Sequence, residues 1–216
     1  MGGAMSEDSR AYVAALFGFD AVVQRVKSHE WGQPSPCARW DATEVLNHNI
    51  LVTNLITEMT RGNPAAVPAT GEGREFPTPH GEGYVYASYL FAAPRVGEGG
   101  DPIELWNQQR DRVLEALDQP GALDVSARSP WGHDTIDEFL AFAFHEPLVH
   151  AWDLARAVGQ EVYLDPVLVD RAFALLDNPG DGRDLRQPVS LAAPVPTKAS
   201  DPTSRLIAAM GRDPSF

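Results

Sequence analysis

Apolar residues spaced three and four apart recur along most of this 216-residue chain, and this spacing constrains its fold more than any other feature. Residues at these intervals fall on one side of an α-helix, which can be buried while the opposite side faces water. The first such segment contains Tyr12, Val13, Leu16, Phe17, Phe19, Val22, Val23 and Val26. The sequence therefore predicts a first helix over residues 9–27.

Capping residues place the other helices. Aspartates precede three of the segments, and an aspartate side chain can accept hydrogen bonds from the free N–H groups of a first helical turn. The predicted helices run from about Ala42 to Met59, from Pro102 to before Gly121, from Thr135 to Val158, from Pro166 to Leu176, and from Thr203 to Met210. Asp41 followed by Glu44 is a capping-box pattern at the second helix, and Gly159 occupies a C-cap position.

The rest of the chain adds no strong strand signal. Residues 63–83 hold several glycines and prolines without periodicity, which predicts a long surface loop. The run GYVYASYLFAAP that follows permits either a strand or a short helix. We therefore expect an all-α fold, a four-helix bundle with short C-terminal helices, in a single domain spanning residues 1–216. Residues 1–8 are expected to be frayed, and residues 177–216 to form an irregular tail with a short terminal helix.

Charge and cysteine usage narrow the function. The formal net charge is −13 and the sequence pI is about 4.7, so nucleic acid would be repelled. The single cysteine, Cys37, excludes an internal disulfide and a zinc site built from several thiolates, and it fits a reducing compartment. The chain has no run of about 18 apolar residues and no secretory signal at its start. We expect a cytoplasmic protein that does not bind membranes.

The stretch HEPLVH, residues 145–150, begins like the zinc-peptidase signature HExxH but is one residue longer. His145 and His150 are five residues apart, so their side chains diverge by roughly 140° on a regular helix and cannot share one ion. Glu146 and His150 are four apart and point the same way, which suits a carboxylate and an imidazole that bind one divalent ion. His48, in the middle of the predicted second helix, is the candidate for a third ligand.

A structural interpretation of the same residues remains open. His48 could be a buried, hydrogen-bonded histidine, and Glu146 a capping or solvated acid. Pro147 removes a backbone donor and clashes with the preceding turn. It predicts either a kink beside the site or a new helix that starts there.

Several neighbouring residues have open roles. Asp153 could support a metal ligand by accepting a backbone hydrogen bond or fixing Arg156, or it could form an ordinary salt bridge. Cys37 is either a catalytic thiol or a small buried residue. His145 is expected off the metal-binding face, and His133 at the rim of a pocket.

Three stretches together carry a resemblance to a known family: WGQPSPCARWDATEVLNHNI, EPLVHAWDLARAVGQ and RLIAAMGRDP. They resemble the actinobacterial family of mycothiol-dependent maleylpyruvate isomerase-like proteins, members of the DinB-like helical superfamily, in register over most of the chain. The family pattern is a histidine in the second helix, then Glu-x-x-x-His followed by Trp-Asp-Leu-Ala in the fourth. The resemblance implies that His48, Glu146 and His150 are zinc ligands and that the spacing in HEPLVH is correct.

The resemblance also implies a chemistry. In the isomerases, zinc binds the sulfur of mycothiol as a thiolate, which adds to a conjugated double bond, permits rotation and is expelled, giving cis–trans isomerisation. Transfer of the same thiol to an electrophile is a related reaction. This chain has a short Pro- and Gly-rich tail where the isomerase has a larger C-terminal α/β domain that contributes to the substrate site. The difference argues against maleylpyruvate itself as the substrate.

The function expected from the sequence is therefore a zinc- and mycothiol-dependent isomerase or S-transferase for a small electrophilic substrate, with a metal-bound thiol or water as the reacting group. Nickel, iron or manganese could replace zinc on two histidines and a glutamate. A non-catalytic metal or small-molecule binding bundle and a metal-activated hydrolase are the alternatives. An aromatic group, Tyr84, Tyr86, Tyr89 and Phe91, could form a homodimer surface or a lid over the pocket.

Overall fold

The structure, a computed structural model, describes residues 5–63, 66–68, 73–76, 84–87, 93–127, 134–177 and 193–216. Its helices are α1 (Glu7–Val23), α2 (Ala42–Thr60), α3 (Pro102–Leu117), α4 (Ile136–Ala143), α5 (His145–Ala157), α6 (Pro166–Asp177) and α7 (Pro202–Ala209). A single 3-10 turn spans Ala122–Asp124. Helices dominate the described part of the chain, and the predicted all-α class is confirmed.

A small antiparallel sheet interrupts the helices. Its strands are β1 (Ala66–Pro68), β2 (Gly73–Phe76) and β3 (Tyr84–Ala87), in the order β1-β3-β2. The loop predicted over residues 63–83 is wrong where β1 and β2 lie, because strands of three and four residues are too short to show alternation. For the run GYVYASYLFAAP, the strand alternative holds over residues 84–87. The side chains of the aromatic group, Tyr84, Tyr86, Tyr89 and Phe91, lie outside the described part.

The described residues group into two compact units. The first contains Met1–Val13 and Asn47–Ala143, and the second contains Ala14–Leu46 and Phe144–Phe216. Both α1 and α2 contribute residues to each unit.

The first unit has an interior of large apolar side chains from α2, α3 and α4. Those with no exposed surface are Ile50, Ile56, Met59, Trp106, Val113, Ile136 and Leu140. Polar contacts fasten its loops: the Val96 N–H donates to Asn47 Oδ1 at 2.9 Å, and the Ser6 hydroxyl donates to Asp137. The α3 N-cap is Asp101, whose Oδ1 accepts from the N–H groups of Ile103 and Glu104, as the Asp-Pro signal predicts.

The predicted helix over residues 135–158 is wrong as a single element, because α4 ends at Ala143 and α5 begins at His145. Pro147 explains the break. It is the third residue of α5, where its missing N–H has no helical acceptor in any case. Of the two interpretations of Pro147, the start of a new helix is the one observed. Gly159, with φ of +66°, terminates α5 as predicted.

The remaining helix boundaries agree with the sequence to within a few residues. Only α1 differs more, since it ends at Val23 and gives way to turns, whereas the apolar spacing extends to Val26. Asp165 accepts a hydrogen bond from the first turn of α6, which confirms its predicted cap, and Asp201, for which no cap was predicted, does the same for α7. None of the described helices is both long and apolar enough to cross a bilayer.

The α3 cap provides a test of these local assignments. The substitution Asp101→Ala removes an acceptor shared by two N–H groups of the first turn, so we expect the free energy of unfolding to fall by about 1 kcal/mol. Chemical denaturation of the metal-free protein measures it. Glu98→Ala, an exposed acid in the preceding loop, is the matched control and should change stability by less than about 0.5 kcal/mol. Equal effects of the two substitutions would contradict the cap.

Candidate metal centre

A tightly bonded loop precedes α2 in the second unit. The Ser35 N–H and hydroxyl both donate to the Trp40 carbonyl, at 3.0 and 2.9 Å, and the Trp40 N–H donates to the Cys37 carbonyl at 3.0 Å. Arg39 turns the chain with φ of +70°, a left-handed conformation that a non-glycine residue adopts at some cost. The loop therefore holds Cys37 and Trp40 in defined positions.

Hydrogen bonds join this loop to the start of α2. The N–H and the hydroxyl of Thr43 both donate to the Trp31 carbonyl at 3.0 Å. Asp41 Oδ1 accepts from the Glu44 N–H at 2.8 Å, which confirms the predicted N-cap. The first turn of α2 is thus fixed to the loop on both sides.

One face of α5 carries Glu146, His150 and Asp153, at spacings of four and three residues. Residues so spaced lie within about 60° of one another around a helix. His150 Nε2 lies 3.3 Å from Glu146 Oε2, and Nδ1 lies 2.8 Å from Asp153 Oδ2. The imidazole therefore lies between two carboxylates, one on each ring nitrogen.

The distance between His150 Nε2 and Glu146 Oε2 fits two ligands of one metal ion. With ligand bonds of about 2.0–2.1 Å, two ligands of a tetrahedral zinc ion lie about 3.3 Å apart, and the observed separation of Nε2 from Glu146 Oε2 is 3.3 Å. Metal-binding histidines usually donate their other ring N–H to a carboxylate, which fixes the tautomer and the ring orientation. Asp153 provides such an acceptor. Glu146 and His150 would hold the ion, with Nε2 and Oε2 as the ligand atoms.

Asp153 is fully buried, with no exposed surface. Of the alternatives left open for Asp153, a salt bridge is the one observed, but not with Arg156. Arg212 donates to it instead, from Nη2 to Oδ2 at 3.0 Å and from Nε to Oδ1 at 3.4 Å. Arg156 lies over the ring of Trp152 and donates to the carbonyl of Phe216. A buried carboxylate needs a paired cation, and Arg212 provides it.

Cys37 completes this cluster on the Asp153 side of His150. Its thiol donates to Asp153 Oδ2 at 3.2 Å, and Arg212 Nη2 lies 3.6 Å from the sulfur. Ligand atoms of Cys37, His150 and Asp153 lie within 4.8 Å of one another and could in principle bind a metal. The guanidinium, however, already bonds to two of the three groups, and a second cation there would be repelled. Cys37 therefore supports Asp153 and is a poor candidate for a metal ligand.

Electrostatics in the cluster follow from these contacts. Burial lowers the pKa of His150, but hydrogen bonds to Asp153, Cys37 and Glu146 more than offset it, and the pKa is raised well above its ordinary value. Burial raises the pKa of Asp153, but the hydrogen bond from His150 and the charge of Arg212 lower it overall. The contacts that raise the pKa of His150 favour its protonated form when no metal is bound, and a metal ion at Nε2 would compete with that proton.

Three other histidines were considered from the sequence, and they differ in how the structure places them. His145 is buried, and its Nε2 lies 3.5 Å from Glu146 Oε1, so it contacts the carboxylate next to it on the oxygen that does not face His150. His48 is half-buried on α2 and belongs to the first unit, so its part in the site stays a prediction. His133 lies outside the described residues.

Sequence reasoning missed Arg212 and the role of Cys37. Both lie far along the chain from α5, and no local spacing links them to Asp153. The stretch RLIAAMGRDP contains Arg212, but the sequence supports only a family resemblance there and no contact with Asp153.

These features define an all-α protein of the DinB-like class with a Glu-x-x-x-His pair on one helix. The chain belongs to the family described as mycothiol maleylpyruvate isomerase N-terminal domain, whose sequence model matches residues 14–155. Two Mycobacterium tuberculosis relatives, the uncharacterized proteins MT0763 of strain CDC 1551 and Rv0738 of strain H37Rv, are each 26% identical to it over 204 residues. The alignments cover 94% of this chain and 96% of each relative. No solved structure gives a significant match.

The raised pKa of His150 predicts a pH dependence of stability in the metal-free protein. A group whose pKa is higher in the folded state stabilises it fully below its unfolded pKa, about 6.5 for histidine, and loses this effect as pH rises through the folded pKa. We expect the wild-type free energy of unfolding to fall more steeply than that of His150→Gln as the pH rises above about 6.5. Denaturation at several pH values measures both slopes, with the exposed His29→Gln as control. Parallel slopes for wild type and His150→Gln would contradict the assignment.

Proposed function

We propose that the protein binds one zinc ion through His48, Glu146 and His150 and uses it to activate a thiol, of the mycothiol type, for isomerisation or S-transfer on a small electrophilic substrate. The observation that carries the proposal is the geometry at His150: Nε2 faces Glu146 Oε2 at 3.3 Å while Nδ1 is held by a buried carboxylate. Membership of the mycothiol maleylpyruvate isomerase family supports the thiol.

His48 is the proposed third ligand on two grounds. The family pattern places a histidine in the second helix, and the family match includes this residue. The second ground is the residue type, because an imidazole nitrogen is a common zinc ligand and would join the Glu146 carboxylate and the His150 imidazole in a set of two histidines and one carboxylate.

Three protein ligands leave one tetrahedral position open, which is the pattern of catalytic rather than structural zinc sites. Zinc in such a site supplies stabilisation of an anion, either a thiolate or hydroxide. Two neutral imidazoles and one carboxylate leave the centre with a net positive charge, which favours an anionic sulfur. The Glu146 carboxylate carries the negative charge of the ligand set, and His145 Nε2 on its other oxygen helps to orient it.

Trp40 would form an apolar wall beside this centre. Its ring centroid lies 5.9 Å from that of His150, at an interplanar angle of 34°. An aromatic side chain here excludes water from one side of the imidazole and strengthens the electrostatic interactions near it. It would also offer a surface for the apolar part of a substrate.

Metal content provides the first test. Wild-type protein loaded with zinc and passed through a desalting column should retain about one ion per chain, whereas His48→Ala and His150→Ala should each lose most of it, because two ligands hold zinc poorly. Elemental mass spectrometry measures the ratio. His29→Ala, which removes an exposed histidine, is the control and should retain the wild-type amount. Wild-type protein without zinc, or a His48→Ala variant with full zinc, would contradict the proposed ligand set.

Turnover with the same zinc-loaded protein tests the thiol. In the presence of mycothiol, the wild type should convert members of a panel of small electrophiles and cis-configured conjugated acids. The two metal-deficient variants should not. A zinc-loaded protein without thiol-dependent turnover would refute the enzymatic part of the proposal. It would leave a metal-binding protein, or a hydrolase if ester or amide substrates were cleaved without thiol.

A further inference from the structure

Arg212 is placed by the end of α7. Gly211 adopts φ of +84°, its N–H donates to the Ala208 carbonyl, and the Arg212 N–H donates to the Ile207 carbonyl, both at 3.0 Å. This is the left-handed helix end that favours glycine. It turns the chain back after the helix, and a further bond from Arg212 Nη1 to the Met210 carbonyl at 2.8 Å fixes the guanidinium.

From this position Arg212 uses two of its nitrogens on the Asp153 carboxylate, one on each oxygen. Paired donors of this kind fix the plane of a carboxylate as well as its charge. Asp153 has no exposed surface, so water cannot take over this role. Its Oδ2, held by Arg212 and by the Cys37 thiol, is also the acceptor for His150 Nδ1.

A chain of contacts therefore runs from the C-terminal segment to the proposed ligand: Arg212 to Asp153, and Asp153 to His150. Loss of the guanidinium would leave a buried carboxylate without its cation. The carboxylate would then rotate or attract a proton, and Nδ1 would lose its fixed acceptor. The direction of Nε2 depends on this acceptor, because an imidazole rotates as a rigid ring.

We infer that Arg212 is a positioning residue for the metal centre, acting through Asp153 on the orientation of His150. The inference rests on the proposed function. It extends the site beyond residue 155, where the family match ends, to the C-terminal segment of the chain. This segment would contribute to metal affinity without supplying a ligand atom.

Zinc affinity separates this role from a merely structural one. Competition with a chromophoric chelator should give a dissociation constant about 10–100-fold weaker for Arg212→Gln than for wild type, the usual effect of losing a group that supports a metal ligand. Arg212→Lys, which keeps the charge without the paired donors, should fall between them. Lys198→Gln, an exposed charge in the same segment, should match the wild type. Thermal unfolding of each metal-free variant reports its effect on the fold.

A double-mutant cycle tests the route through Asp153. In an Asp153→Asn background, Arg212→Gln should weaken zinc binding by less than threefold or so, because the carboxylate on which it acts is gone. This cycle stands even if Arg212→Gln alone unfolds, since Arg212→Lys can replace it. Lower thermal stability with unchanged zinc affinity, or additive losses in the cycle, would overturn the inference.

The outcomes also distinguish the two proposals. Wild-type protein that binds no zinc overturns both. Zinc binding that is lost in His150→Ala but unchanged in Arg212→Gln and Arg212→Lys overturns the role of Arg212 and leaves the proposed ligand set standing.

Discussion

The hydrogen bond between His150 Nδ1 and Asp153 Oδ2 is the interaction on which the candidate site depends. It fixes the ring so that Nδ1 faces Asp153 and Nε2 faces Glu146. The bond is strong because both groups are buried, and a buried ionic contact is favourable only when each group keeps its partners. Asp153 satisfies this condition through Arg212 and Cys37, so groups outside the proposed ligand set fix the orientation of His150 on α5.

The contributors to this arrangement come from three separate parts of the sequence. The loop before α2 supplies Cys37, α5 supplies the acidic and imidazole groups, and the turn after α7 supplies Arg212. Each is fixed locally: the loop by its Ser35–Trp40 bonds, and the last turn by the left-handed Gly211. Three segments, each with its own local geometry, thus bring Cys37, His150 and Arg212 into contact with the Asp153 carboxylate.

Sequence reasoning succeeded where the determinant was local. Apolar spacing and aspartate caps predicted α2, α3, α6 and α7, and the four-residue spacing of Glu146 and His150 predicted their shared face. It failed for the Arg212–Asp153 pair, because the two residues are distant in the sequence. It also failed for the strands at residues 66–68 and 73–76, because they are too short to show a period. Pro147 was recognised as a disruption, but both a kink and a helix start satisfy its chemistry, and only tertiary structure selects one.

The identity of the ligand atoms is the central claim, since two clusters share His150 and differ in whether sulfur is present. X-ray absorption spectroscopy at the zinc edge tests it most directly, on zinc-loaded protein to which no thiol has been added. Nitrogen and oxygen scatterers at about 2.0–2.1 Å, with the outer-shell pattern of imidazole and no sulfur, are the predicted result. A sulfur scatterer at about 2.3 Å would place the ion on Cys37 and contradict the assignment of Arg212 and Asp153 as supporting groups.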